Sequence, residues 1–204
     1  MQEKIKQGER FLAALDSDWA RAISQIGPCD YRPEGGQDIH EALIRAVSAQ
    51  QISGHAARTI LARMGALFPE HFFPTPQQIV SLGFEGLRSC GYSANKARTI
   101  LEICEGVLDG FVPSYQSALK LDDEILIAML SRLKGVGRWT VEMLLIDCLG
   151  RLDVWPVDDL GIRQGYQRLK GLAEVPKAKD LRVIGVELAP YRTIAAWYLW
   201  RLPH

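Results

Sequence analysis

Apolar residues recur three and four positions apart from one end of this chain to the other. Leu12, Leu15, Trp19, Ile23 and Ile26 repeat in this way, as do Ala57, Ile60, Leu61, Met64 and Leu67, and again Ala97, Ile100, Leu101, Cys104 and Leu108. That spacing places one apolar stripe along a helix. No stretch alternates apolar and polar residues between hairpin turns. The chain is therefore predicted to be all-α, with about ten helices in a bundle of two lobes.

Helix punctuation supports the reading. Gly27-Pro28 stops the first run, and Ser53 and Ser93 stand where N-caps belong. Thr75-Pro76 with Gln78 reads as a capping box, and Asp122 or Asp123 opens a further helix. Three more helical segments are expected around Leu160–Leu169, Leu181–Leu188 and Tyr191–Leu202. Cys29 to Gln37, with Pro33, Gly35 and Gly36, is the nearest thing to a linker.

A chain of 204 residues suits one large domain or two lobes, and buries a core without staples. The cysteines, at 29, 90, 104 and 148, include no C-x-x-C pair and no histidine at ligand spacing, so they are expected reduced and buried. No iron–sulfur cluster is expected, because no cysteine cluster closes the chain. No apolar run reaches the ~18 residues of a membrane span, and MQEKIKQGER has no apolar core of a signal peptide. Lysine plus arginine (24) equal aspartate plus glutamate (24). A neutral chain argues against nucleic-acid binding through bulk positive charge, but not through backbone amides.

The sequence Leu133-Lys134-Gly135-Val136-Gly137-Arg138-Trp139-Thr140 places two glycines, two apart, between helical runs. Such a turn brings backbone close to another molecule. The amides that follow lack intrahelical partners and carry the positive end of the helix dipole, which suits a phosphate. Preceding carbonyls can hold a monovalent cation. A plain helix corner remains an alternative. About twenty residues later stands Pro156-Val157-Asp158-Asp159-Leu160. One aspartate is expected to cap the next helix, leaving the other for chemistry.

These two stretches, with Arg163-Gln164 after the second, resemble the HhH-GPD superfamily of DNA repair glycosylases, and within it the 3-methyladenine DNA glycosylase II branch. The resemblance runs from Ile39 to Leu202, and no segment corresponds to the N-terminal β domain of that branch. It implies one HhH-GPD domain over 1–204, in which the N-terminal helix packs with the C-terminal helices and roughly 38–150 form the other lobe. By register it makes Asp159 the catalytic carboxylate and Asp158 the cap. It places Gly135, Val136, Gly137, Arg138 and Thr140 on the DNA backbone, with Na⁺ or K⁺ on the carbonyls of Leu133 and Val136 and no required cofactor. Trp139 stands where strand-cutting members carry a lysine that forms a Schiff base. An indole forms no imine, so the resemblance implies base removal by water without strand cleavage. It also implies a base pocket of Trp139, Trp200, Leu160 and Met143, with Trp197 and Tyr198 as packing. Gln50 and Gln51 fall where the family fills the gap left by a flipped nucleotide. Lys96 and Arg98 are either phosphate contacts or solvated surface charge.

The implied function is a monofunctional DNA glycosylase for alkylated purines of the 3-methyladenine and 7-methylguanine type. It would act on damaged double-stranded DNA as a monomer, in the bacterial cytoplasm or a eukaryotic nucleus, with no membrane partner. A non-catalytic damage-binding module, and a glycosylase of the same fold for hypoxanthine or ethenoadenine, stay open as alternatives.

Overall fold

A computed structural model describes residues 1–36 and 38–203. The expected linker therefore ends, at Gln37, outside the described residues. Every regular element is helical, and no strand occurs among the described residues. Among the described residues there are twelve α-helices and one π-helical stretch rather than about ten helices. The first apolar run accounts for part of the difference. Asp16 interrupts it by accepting bonds from the amides of Asp18 (2.9 Å) and Trp19 (3.1 Å), so α1 spans Gln2–Leu15 and α2 spans Ser17–Ile26. A four-residue helix, Tyr115–Ala118, adds the rest.

The chain forms two compact units. One joins Met1–Pro33 to the chain from Gly150 onward; the other is Glu34–Leu149. The first unit holds α1, α2, α10 (Leu160–Lys170), α11 (Ala178–Ile184) and α12 (Arg192–Leu199). Its centre is α12, buried from Thr193 to Leu199 and packed against α1, α2 and α10, which bury Ile5, Leu12, Trp19 and Ile162. Burial on this scale is the main source of its stability. Tyr198 donates from its hydroxyl to Glu9 Oε1 (2.8 Å), which also accepts the Cys29 amide (2.6 Å), so the N-terminal helix is tied to α12. At the other end of α12, Arg192 grips both oxygens of Asp153 (2.7 and 2.8 Å). Next to it, Thr193 Oγ1 accepts from the Val154 amide and donates to the Arg151 carbonyl. These bonds fix the stretch leading to Asp159. Helix α10 crosses α12 at Gly165, where a Cβ would lie 2.3 Å from the Leu199 carbonyl oxygen; only glycine allows that approach.

The second unit holds α3 (Ile39–Ala49), α4 (Gly54–Gly65), α5 (Pro76–Cys90), α6 (Ala94–Leu108), α7 (Tyr115–Ala118), α8 (Asp123–Leu130) and α9 (Arg138–Met143). Helix α9 runs straight into the π-helical stretch Leu144–Cys148. Helix α3 is the hub, with Ile39, Leu43, Ile44 and Val47 buried against α4, α6 and α9. The helix starts follow the sequence signals: Ser53, Ser93 and Asp122 cap α4, α6 and α8, and Thr75 with Gln78 makes the capping box of α5. All four cysteines are buried free thiols. Among the described residues no helix is long and apolar enough to cross a membrane.

Candidate functional site

The glycine hairpin joins α8 to α9 in the second unit. Gly135 sits at φ +87°, in the left-handed region, and a Cβ there would lie 2.1 Å from Thr99 Oγ1 on α6. The turn and its seat on α6 both demand glycine. Gly137 is different. Its φ is −95°, it is exposed, and an added Cβ would meet nothing in the chain within 4 Å. Nothing inside the protein requires glycine at 137, so the open space is available to a molecule from outside. The amide of Arg138 follows at the first position of α9, at the positive end of the helix dipole. An anion is the fitting occupant.

The five residues expected on the DNA backbone do not all face outward. Val136 is buried and its amide donates to the Leu133 carbonyl (3.1 Å). Thr140 is buried, its amide donates to the Gly137 carbonyl (3.0 Å), and its Oγ1 accepts from Gln50 Nε2 (2.9 Å). Both are buried, because the turn folds back onto the bundle at 136 and again one helical turn later. Arg138 is held by the Glu124 carboxylate, with one contact of 2.9 Å, and by Glu142 at 3.1 Å, so its charge is largely compensated. The Lys134 amide donates to Glu102 Oε1 (2.8 Å). The cation expected on Leu133 and Val136 remains compatible with this geometry: the Leu133 carbonyl accepts one bond and has a second lone pair.

Trp139 and Met143 are half-buried and lie four apart, hence on one face of α9. The pair expected as a wedge divides. Gln50 turns to the hairpin, donating to Thr140 Oγ1 and to the Gly135 carbonyl (3.3 Å). Gln51 is exposed, with φ 55°, left-handed without being glycine. Lys96 is more than a solvated surface charge: its Nζ donates to the carbonyls of Ser48 (2.9 Å) and Gln50 (2.7 Å). Partial burial lowers its pKa. Arg98 lies over the Phe84 ring, 5.2 Å from its centre.

In the first unit the division of labour expected of the two aspartates is corrected. Asp159, not Asp158, is the N-cap of α10. Its Oδ1 accepts from the Ile162 amide (2.8 Å) and also from the Trp200 indole Nε1 (3.0 Å). Asp158 is exposed. The helix begins at Leu160, so the residue directly before it holds the cap, a rule the sequence alone could have supplied. Cap and indole donate to the same oxygen and set the carboxylate plane. Leu160 is 56% exposed, and Trp200 is half-buried at the end of α12. Trp197 and Tyr198 are buried in edge-to-face contact, as packing residues. The Asp153–Arg192 pair, the Gln50 amide and Lys96 carry no local sequence signal, because each joins residues distant in the chain.

A family model described as HhH-GPD superfamily base excision DNA repair protein matches residues 44–190. The chain is 41% identical to DNA-3-methyladenine glycosylase 1 of Schizosaccharomyces pombe over 97% of its length and 87% of that protein's. It is 36% identical to the alkylbase DNA glycosidase-like protein mag2 of the same organism, over 97% and 93%. Its fold is similar to the solved structure of the S. pombe 3-methyladenine DNA glycosylase Mag1 in complex with abasic DNA, with a TM-score of 0.90 over 96% of this chain and 95% of that one.

Proposed function

Because this chain belongs to the HhH-GPD superfamily of base excision DNA repair proteins, we propose that it is a DNA glycosylase that removes alkylated purines from double-stranded DNA without cutting the strand. The observation that carries the reading is the fixed Asp159 carboxylate, whose Oδ1 is bonded by both the Ile162 amide and the Trp200 indole. A carboxylate so oriented stabilises the positive charge that develops on deoxyribose as the glycosidic bond lengthens, and costs no reorganisation at that moment. Water adds to C1′, the C1′–N bond breaks with its electron pair going to the base, and the water proton passes to Asp159 or to solvent. A purine alkylated at N3 or N7 is already cationic and leaves neutral, so no general acid is needed.

Trp139 is the proposed stacking residue. Its electron-rich face attracts a cationic purine by roughly 0.5–2 kcal/mol. Met143, Leu160 and Trp200 are the other residues proposed, by the family resemblance, to meet the base. The amides at Gly137 and Arg138 are the proposed phosphate grip, with Na⁺ or K⁺ on the carbonyls of Leu133 and Val136. The proposed working state is a monomer, in the bacterial nucleoid or the eukaryotic nucleus, wherever the damaged DNA is.

The test is base release. Asp159→Asn keeps an acceptor for the cap and is expected to reduce 7-methylguanine release by about 10²–10⁴-fold while duplex binding persists. Full activity in Asp159→Asn together with loss in Asp158→Asn reverses the assignment. Strand breaks without alkali, or borohydride trapping of a covalent complex, refute the water mechanism. A panel with hypoxanthine and ethenoadenine sets the lesion range, and no release from any lesion leaves a binding module.

A further inference from the structure

The turn between α3 and α4 is built from two glutamines and held from three directions. Lys96, projecting from the first turn of α6, donates to the carbonyls of Ser48 and Gln50, where α3 ends. A cation suits that place, since the last carbonyls of a helix are unpaired and carry the negative end of its dipole. The Gln50 side chain spends both amide protons on the hairpin, one on the Gly135 carbonyl and one on Thr140 Oγ1. Ser53 then starts α4 by accepting the Ala56 amide (3.2 Å). Between these anchors lies Gln51, a non-glycine residue at φ 55°. A left-handed conformation persists in such a residue only when its surroundings over-determine it. Here the surroundings are Lys96 on one side and the hairpin on the other.

We propose that Lys96 and Gln50 are positioning residues that lock the exposed Gln51 turn to the glycine hairpin, and that the step they serve is extrusion of the damaged nucleotide rather than cleavage of its glycosidic bond. This rests on the base-excision reading above. If the hairpin holds a phosphate, the lock fixes the height of the Gln51 turn relative to that phosphate. A base leaves the stack only if something holds the gap open, and a turn free to recoil holds it poorly. The bonds of Lys96 and Gln50 run to backbone carbonyls and to Thr140 within the second unit, so the proposal assigns them extrusion and leaves bond breaking to Asp159.

The experiment compares one lesion in two contexts. Single-turnover release of 7-methylguanine is measured from a normally paired duplex and from a duplex in which the lesion faces an abasic analogue and is already unpaired. Lys96→Met keeps the stem and removes the donors. It is expected to slow release from the paired duplex by about tenfold or more, the scale of a lost charge-assisted hydrogen bond, and to leave the unpaired lesion nearly unaffected. Lys96→Arg restores both donors and is expected to recover most of the rate. Adding Gln50→Met to Lys96→Met is expected to cost little more, because both act through one turn. In parallel, 2-aminopurine beside a tetrahydrofuran site reports unstacking on binding, and its fluorescence gain is expected to fall in Lys96→Met. Equal loss on paired and unpaired lesions, no recovery in Lys96→Arg, or fully additive losses overturn the proposal. If the unsubstituted protein releases no base from either duplex, the base-excision reading fails, and the fluorescence arm still decides the role of Lys96.

Discussion

Asp159 is a helix cap in the fold and the proposed carboxylate of the chemistry. Its Oδ1 caps α10 through the Ile162 amide and accepts the Trp200 indole proton as well. Both donors hold that oxygen in place, as a carboxylate meant to stabilise a cationic sugar requires. The cap sets where the carboxylate stands, and the indole sets how it is turned. Gly161 tightens the arrangement, since a Cβ there would lie 3.0 Å from both Asp159 Oδ1 and Trp200 Cδ1. Trp200→Phe keeps most of the ring and removes only the donor. It is expected to reduce single-turnover base release by about tenfold, with the melting temperature nearly unchanged, because the cap bond remains. An unchanged rate would reduce Trp200 to a wall of the pocket.

At the scale of elements, the hairpin's two glycines differ: the fold requires Gly135, and the proposed phosphate grip uses Gly137. Gly135→Ala must place a Cβ at φ +87° and against Thr99, and is expected to destabilise the protein by more than about 2 kcal/mol. Gly137→Ala faces open space at ordinary backbone angles. It is expected to leave the melting temperature unchanged and to weaken duplex binding, because the methyl group occupies the proposed phosphate position. Thermal melts and a binding titration on the two variants check both halves; a Gly137→Ala that binds normally removes the phosphate grip from this loop. The contrast also shows what a sequence discloses. Two glycines two apart mark a turn at the start of a helix, and Ser53, Thr75, Ser93 and Asp122 mark helix starts, because caps and turns are local. The inward turn of Val136 and Thr140, the Gln50 bonds and the place of Lys96 depend on which helices meet, and short-range patterns carry no record of that. Asp16 lies between: its cap signal is local, but the unbroken apolar spacing across Leu15 and Trp19 hides it.

The whole molecule carries as many acidic as basic groups, 24 of each, and many of its cations already have partners. Arg138 is held by Glu124 and Glu142, Arg192 by Asp153, Arg45 by Glu41, and Lys170 by Asp16 and Asp18. Lys96 is engaged by backbone carbonyls. A protein that grips DNA mainly with lysine and arginine releases one condensed counterion for each phosphate it neutralises, and its affinity falls steeply with salt. The proposed grip, by neutral amides at Gly137 and Arg138, bonds a phosphate without neutralising it in that sense. Duplex affinity is therefore expected to depend weakly on salt, with log K against log[KCl] falling at a slope of about −2 to −4, below the steepness of a binder that makes 6–10 cationic phosphate contacts. Titrations of an abasic-analogue duplex between low and physiological salt measure it. A slope near about −8 would mean that a basic surface, rather than the hairpin backbone, carries the binding. A shallow slope has a functional consequence. Undamaged DNA offers the same phosphates everywhere, so weak electrostatic adhesion leaves discrimination to the steps that follow contact: extrusion, stacking on Trp139 and attack at the sugar.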